Sequence, residues 1–109
     1  MTDRPIEANL LRIVSADDQG LGLDDGDNQW VVPWTIISQI SAALVPHGNA
    51  FILIAAIGIG DERIVMVAED QPVWLGLMEA LERNLPGVQP YKNWEPQVRS
   101  GDGVHVIYP

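Results

Sequence analysis

Residues 50–69 are AFILIAAIGIGDERIVMVAE, two apolar runs about a short polar turn. From Ala50 to Ile59 both alternating sets are apolar: Phe51, Leu53, Ala55, Ile57 and Ile59 on one side, and Ile52, Ile54, Ala56 and Gly58 on the other. A strand with one wet face would alternate apolar with polar, so this strand is predicted to be covered on both faces. Gly60-Asp61-Glu62 supplies a turn, and Arg63 to Glu69 returns with a second two-sided apolar run, which predicts the central hairpin of an antiparallel sheet. Burying one Leu or Ile side chain is worth roughly 1.5 to 3 kcal/mol, so leaving four or five of them bare forfeits a sum comparable to the stability of a domain. One helix shields one face only. The other face requires the tail from Val88 to Tyr108, a curl of the sheet into a half barrel, or a second subunit.

Upstream of the hairpin, Glu7 to Val14 reads as a strand and Ser15 to Gly20 as a turn. Leu21 and Leu23 form a second strand, and the Asp25-Gly26 pair inside Asp24–Asn28 marks a tight turn before a third strand at Gln29 to Val32. Pro33 to Val45 is ambiguous. Trp34, Ile37, Ile40 and Leu44 fall at helical spacing, but Ile36, Ile37 and Ile40 are β-branched, and the expectation is a strand from about Thr35 to Ala43. Pro46-His47-Gly48-Asn49 is expected to turn the chain.

Downstream, the spacing of Trp74, Leu77, Met78, Leu81 and Leu85 predicts a helix from about Gln71 to Asn84. Asp70 is placed to cap it, Pro72 falls in the tolerant first turn, and Pro86-Gly87 stops it. Gly76 costs roughly 1 kcal/mol against Ala in a helix interior, which implies either close approach to the sheet or simple tolerance. Val88 to Val98 holds too many breakers for a regular element, Ser100 to Gly103 is a turn, and Val104 to Tyr108 adds a last strand. The expected architecture is α+β: an antiparallel meander of about six strands, shaped as a roll or half barrel, packed by one C-terminal helix. It occupies residues 1–109 as a single domain without internal repeats.

The chain has 109 residues, 47% of them apolar, no cysteine and a formal charge of −9. That apolar fraction is ample for a core and argues against disorder. No apolar run approaches the roughly 20 residues that span a bilayer. The opening MTDRPIEANL has neither the apolar core nor the small-residue cleavage site of a secretory signal, so a cytoplasmic location is expected. With 15 carboxylates against 6 basic side chains, phosphate backbones and anionic membranes are repelled, and neither nucleic acid nor membrane is expected as a partner.

Val32-Pro33-Trp34-x-x-Ile37, Glu69 ahead of Trp74-x-x-Leu77, Leu85-Pro86-Gly87 and Trp94-x-x-x-Val98 form a pattern running from Val31 to Val98. It resembles a family of small uncharacterised bacterial proteins with a V-P-W-x-x-I segment, a central apolar hairpin, and L-P-G followed by Trp. The shared residues are structural in type, so the resemblance implies an architecture and no activity. A meander closed by a C-terminal helix is also similar to a pleckstrin-homology-type roll, a likeness of fold that carries no function. The short tail ending Val106-Ile107-Tyr108-Pro109 departs from the family's pattern.

Motifs that would carry chemistry are weak. His47 lies in a Pro/Gly turn and His105 in the tail, neither beside a carboxylate at metal-ligand spacing, and no nucleophile elbow is present. The acidic run Asp24-Asp25-Gly26-Asp27-Asn28 lacks calcium-loop spacing, because Trp30 stands where the loop glycine belongs and Ile36 where the final glutamate belongs. Gly58-x-Gly60 follows a strand as phosphate loops do, but Asp61-Glu62 are anionic and no P-loop lysine follows. Glu69 and Asp70 are adjacent on an extended chain and point apart. No catalytic, cofactor-binding or metal-binding residue is therefore expected, and no cofactor.

The tryptophans are more informative. Trp30, Trp34 and Trp74 suit core or half-buried positions. The segment containing Tyr91 and Trp94 either folds back to cover a sheet face or presents an exposed aromatic patch of the kind enriched at binding hot spots. Tyr91, Trp94 and Trp34 are the residues that would carry an interaction. The expectation is a non-enzymatic cytoplasmic protein-interaction or regulatory domain, self-associating as a homodimer or meeting a basic protein partner. Two alternatives are a half barrel holding a small apolar ligand between sheet and helix, and an immunity or antitoxin-like protein neutralising a basic toxin by charge complementarity.

Overall fold

The computed structural model describes residues 11–61, 63–101 and 103–109; the start of the first predicted strand, residues 7–10, lies outside the described residues. Among the described residues the architecture is α+β and antiparallel throughout, with seven strands in two sheets that do not close into a barrel. Three strands form the first sheet, ordered β1 (Arg12–Asp17), β2 (Gly20–Asp24) and β3 (Gln29–Val32). A single 3-10 turn at Trp34–Ile36 then leads into β4 (Ile37–His47), and β5 (Ala50–Ile59) and β6 (Arg63–Ala68) follow. Helices α1 (Trp74–Asn84) and α2 (Tyr91–Ser100) come next, and β7 (His105–Tyr108) ends the chain. The second sheet runs β6-β5-β4-β7.

The meander of the first sheet is as expected, but its first turn narrows from the predicted Ser15–Gly20 to Asp18-Gln19, because Ser15, Ala16 and Asp17 pair with Gly22, Leu21 and Gly20 as strand. Asp24 and Asp25 close the β2–β3 turn on themselves: Asp24 Oδ1 accepts from Gly26 N at 2.7 Å, and Asp25 Oδ1 accepts from Asp27 N and Asn28 N at 2.9 and 2.8 Å. Gly20 has φ +150°, and a Cβ there would sit 1.9 Å from the Val32 carbonyl oxygen across the ladder, so glycine is obligatory. In the second sheet the long β4–β5 pairing, from Ile37↔Ile59 to His47↔Ala50, is the central hairpin, and β6 is an edge strand. The predicted central hairpin of β5 with β6 is thus shifted by one strand. The strand expected from Thr35 to Ala43 starts instead at Ile37, after the 3-10 turn, and continues through His47, so the turn narrows to Gly48-Asn49.

Two helices pack where one was expected. Helix α1 begins at Trp74, with Val73 at the N-cap and no side-chain cap; Asp70 is exposed and does not cap it. The entry is fixed one turn earlier, where Gln71 Oε1 accepts from Ala68 N and Trp74 N donates to Gln71 O. Gly76 is exposed with open space around it, so tolerance, not close approach, explains it. The segment read as irregular folds as α2 despite Pro96 in its interior. Trp94 and Val98, four residues apart, bury one stripe, Glu95 pairs with Arg99 along the exposed side, and Glu82 Oε2 accepts from Tyr91 N at the helix start. These contacts outweigh the one ladder bond that Pro96 forfeits.

One continuous core fills the space between the two sheets and the helices. Ile40, Ala42, Leu53, Ala55, Ile57, Val65, Val67 and Ile107 enter it from the second sheet, and Ile13, Leu21, Leu23, Val32 and Trp34 from the first. Trp74, Leu77, Met78, Ala80 and Leu81 come from α1, and Trp94 and Val98 from α2. All these elements lie on the same side of the second sheet. Among the described residues its other face is open around Ile64 and Met66, while Ile52 on that face is buried.

Candidate functional site

The aromatic residues expected to form an interaction patch do not form one. Trp94 is 1% exposed, and Tyr91 stacks edge-on to both Trp94 and Trp74, with ring centroids 5.1 and 6.1 Å apart. The Trp74 indole N–H donates to Tyr91 Oη at 3.2 Å. Trp34 is also buried, its indole N–H donating to the Asp17 carbonyl at 2.7 Å. Covering a sheet face is therefore the role of this segment, because α2 lays Trp94 and Val98 against the inner side of β4. The apolar stripe hidden behind the Pro residues was the signal: Tyr91, Trp94 and Val98 sit three and four apart.

The surface left open is the outer face of the second sheet. From Leu53 to Ile59 burial alternates, with Leu53, Ala55, Ile57 and Ile59 buried and Ile54, Ala56 and Gly58 half-exposed, while Ile52, on the same face as Ile54, is buried. The expectation of cover on both faces fails here for a simple reason. Both helices and the first sheet share one side, and the tail extends the sheet as β7 without crossing the other side. Register places the outer face in rows: Ile64 beside Gly58 and Gln39; Met66 beside Ala56, Ser41 and Val106; Ala68 beside Ile54 and Ala43. Ile64 is 69% exposed, Met66 60%, Val104 71% and Val106 44%. Large apolar side chains thus stand on the two edge strands and small ones between them. A shallow hollow of about 130 Å³ lies between Met66 and Val104, floored by Ala43, Ile54 and Ala56.

No charged side chain interrupts these rows; Asp61 and Arg63 stand only at their end, where a second hollow of about 250 Å³ is rimmed by Ser38 and Gln39. Gly58 lies close to Ser38 there, and a Cβ would meet Ser38 Oγ at 2.7 Å unless that exposed side chain rotated away. The open edge of β7 is occupied by the chain itself: Gln89 N donates to Ile107 O at 3.0 Å, and Gln89 Nε2 to Val106 O at 3.3 Å. Face, not edge, is what the sheet offers on that side.

The titratable groups serve the fold. Asp24 is buried at 7% exposure, its Oδ2 accepting from Arg12 at 3.1 Å and Gln29 at 3.2 Å. Its carboxyl is held below the usual range, first by the Gly26 N–H and then by the Gln29 and Arg12 side chains against the opposing effect of burial. The Arg83 and Asn84 side chains lower Asp18 in the same way, tying the β1–β2 turn to the end of α1. Glu69 accepts from Leu53 N at 2.8 Å and from Arg99 at 2.6 Å, and the guanidinium is the larger cause of its lowered pKa. Arg99, pinned by Glu69 and Glu95, is raised in turn.

His47 is exposed on the hairpin turn, and His105 is half-buried with Nε2 3.3 Å from Gln89 Oε1. Among the described residues no group of three or more His, Cys, Asp or Glu side chains is arranged to hold a metal, and every buried side-chain nitrogen and oxygen has a partner. No helix among them is long and apolar enough to cross a membrane. No family model, no curated protein and no solved structure matches the chain.

Proposed function

We propose that this protein is a non-enzymatic interaction domain that docks protein through the outer face of the β6-β5-β4-β7 sheet. The observation that carries the reading is the contiguous uncharged face running from Ile64 and Met66 to Val104 and Val106. Scattered exposed apolar residues are ordinary on any surface. Contiguous ones bounded by polar residues are characteristic of docking sites. The supporting observation is that, among the described residues, each buried side-chain polar atom has a hydrogen-bond partner and no group of three or more metal-ligating side chains is assembled.

A photo-crosslinking residue at Met66, introduced in the cells that make the protein, tests this. Discrete protein adducts are expected from Met66 and not from Leu75, which is 64% exposed on the outer side of α1. Equal labelling at both positions, or none at Met66, would remove the basis for the reading.

A further inference from the structure

Away from the docking face, the β2–β3 turn carries the pair Asp25-Gly26. We propose that Asp25 is a latent isoaspartate site, held unreactive by the hydrogen bond that the buried Asp24 carboxylate accepts from Gly26 N.

The modification needs only the chain and water. The Gly26 nitrogen attacks Asp25 Cγ, and a cyclic imide closes as the carboxyl hydroxyl leaves with the amide proton as water. Water then opens the imide at either carbonyl. One opening restores Asp25; the other runs the main chain through Cγ, as isoaspartate. Ring closure requires a neutral carboxyl and a nitrogen free to turn toward it. A glycine after the aspartate favours it, because no Cβ hinders the approach.

Crowding does not protect this pair. Asp25 is half-buried, Gly26, Asp27 and Asn28 are exposed, and a Cβ at Gly26 would meet nothing within 4 Å. Hydrogen bonds do the protecting, on both reacting groups. The Asn28 and Asp27 N–H groups, 2.8 and 2.9 Å from Asp25 Oδ1, hold that carboxyl below its usual range and so in the charged form. Gly26 N is held from the other side, donating to Asp24 Oδ1 at 2.7 Å.

Asp24 is the anchored member of the turn. It is 7% exposed, and its second oxygen accepts from Arg12 on β1 at 3.1 Å and from Gln29 on β3 at 3.2 Å. An exposed turn closed only on itself opens readily. A carboxylate tied to both neighbouring strands keeps the Gly26 peptide in place, so ring closure must break a charge-assisted bond that the rest of the sheet supports. The acceptor that fixes the turn is thereby also its chemical guard.

The test is the rate of isoaspartate formation in the full chain at about pH 6 and 37 °C. Peptide mapping by mass spectrometry resolves Asp25-Gly26 from the chain's other such pair, Asp102-Gly103. The same chain in guanidinium chloride supplies the unprotected rate. Folded wild type is expected to react at Asp25 at least about tenfold more slowly than the denatured chain, the worth of one hydrogen bond to a charged group. Asp24→Ala, shown to be folded by circular dichroism, should approach the denatured rate. Asp24→Asn, whose amide oxygen still accepts from Gly26 N, should stay near the wild type. Arg12→Ala alters a side chain that is 65% exposed and loosens Asp24 without touching the turn; its rate should lie between, which keeps the test decisive if Asp24→Ala does not fold.

Equal rates in folded and denatured wild type would overturn the proposal. So would a folded Asp24→Ala chain as slow as the wild type, an Asp24→Asn chain as fast as the alanine variant, or an Arg12→Ala chain that matches the wild type.

Discussion

Two glycines illustrate how differently the same residue type acts. At Gly20 the backbone is left-handed and the position of a Cβ is already taken by the Val32 carbonyl, so Gly20→Ala must separate β2 from β3. A loss of at least about 2 kcal/mol is expected, read as a fall of roughly 10 °C or more in the thermal midpoint. Gly76 faces open solvent in an ordinary helical conformation. Gly76→Ala should therefore stabilise α1 by about 0.5 to 1 kcal/mol and raise the midpoint by a few degrees. Trp94 separates a core residue from a surface one: as a 1% exposed side chain its replacement by Ala should cost about 3 to 5 kcal/mol in a denaturant titration, where an exposed aromatic would cost little.

At the scale of elements, the strands were legible and the second helix was not. Alternation, Asp-Gly turns and β-branched runs are local signals, and each of β2, β3, β5, β6 and β7 can be placed from them. What joined the strands into two sheets is non-local: Trp34 must break the meander with a 3-10 turn and send its indole back to Asp17. Helix α2 was hidden because Pro90 and Pro96 read locally as breakers, while the forces that hold it are the burial of Trp94 and the Glu69–Arg99–Glu95 ion pairs across 30 residues of sequence. Those ion pairs make α2 acid-sensitive. Glu69 has a lower pKa folded than unfolded, so its contribution is full above the ordinary glutamate range and is lost as the pH falls through the folded value, where the unfolded chain binds the proton first. Glu69→Gln should lower stability by about 1 kcal/mol at pH 7 and flatten the loss of thermal midpoint between neutral and acid pH. In hydrogen exchange at pH 7, the amides of Leu53, Glu95 and residues 97–100 should lose protection in this variant.

For the whole molecule, the division of labour between two sides of one sheet matters most. The inner side holds the core together, and the outer side carries the docking reading; the candidate site was legible in outline, since the two-sided run of residues 50–69 marked it, but the fact that one side stays open depends on where α2 and β7 go. Charge sets a further expectation. With 15 carboxylates against 6 basic side chains, self-repulsion within one molecule should be relieved by salt, so the thermal midpoint should rise between 10 and 200 mM sodium chloride in a calorimetric scan. Small residues along the middle of the outer rows, Ala56, Ser41 and Ala43 among them, also loosen a constraint. Since they add little to the chain's own folding free energy, substitutions there can retune companionship while leaving solitary stability nearly untouched, and the two traits become separately heritable.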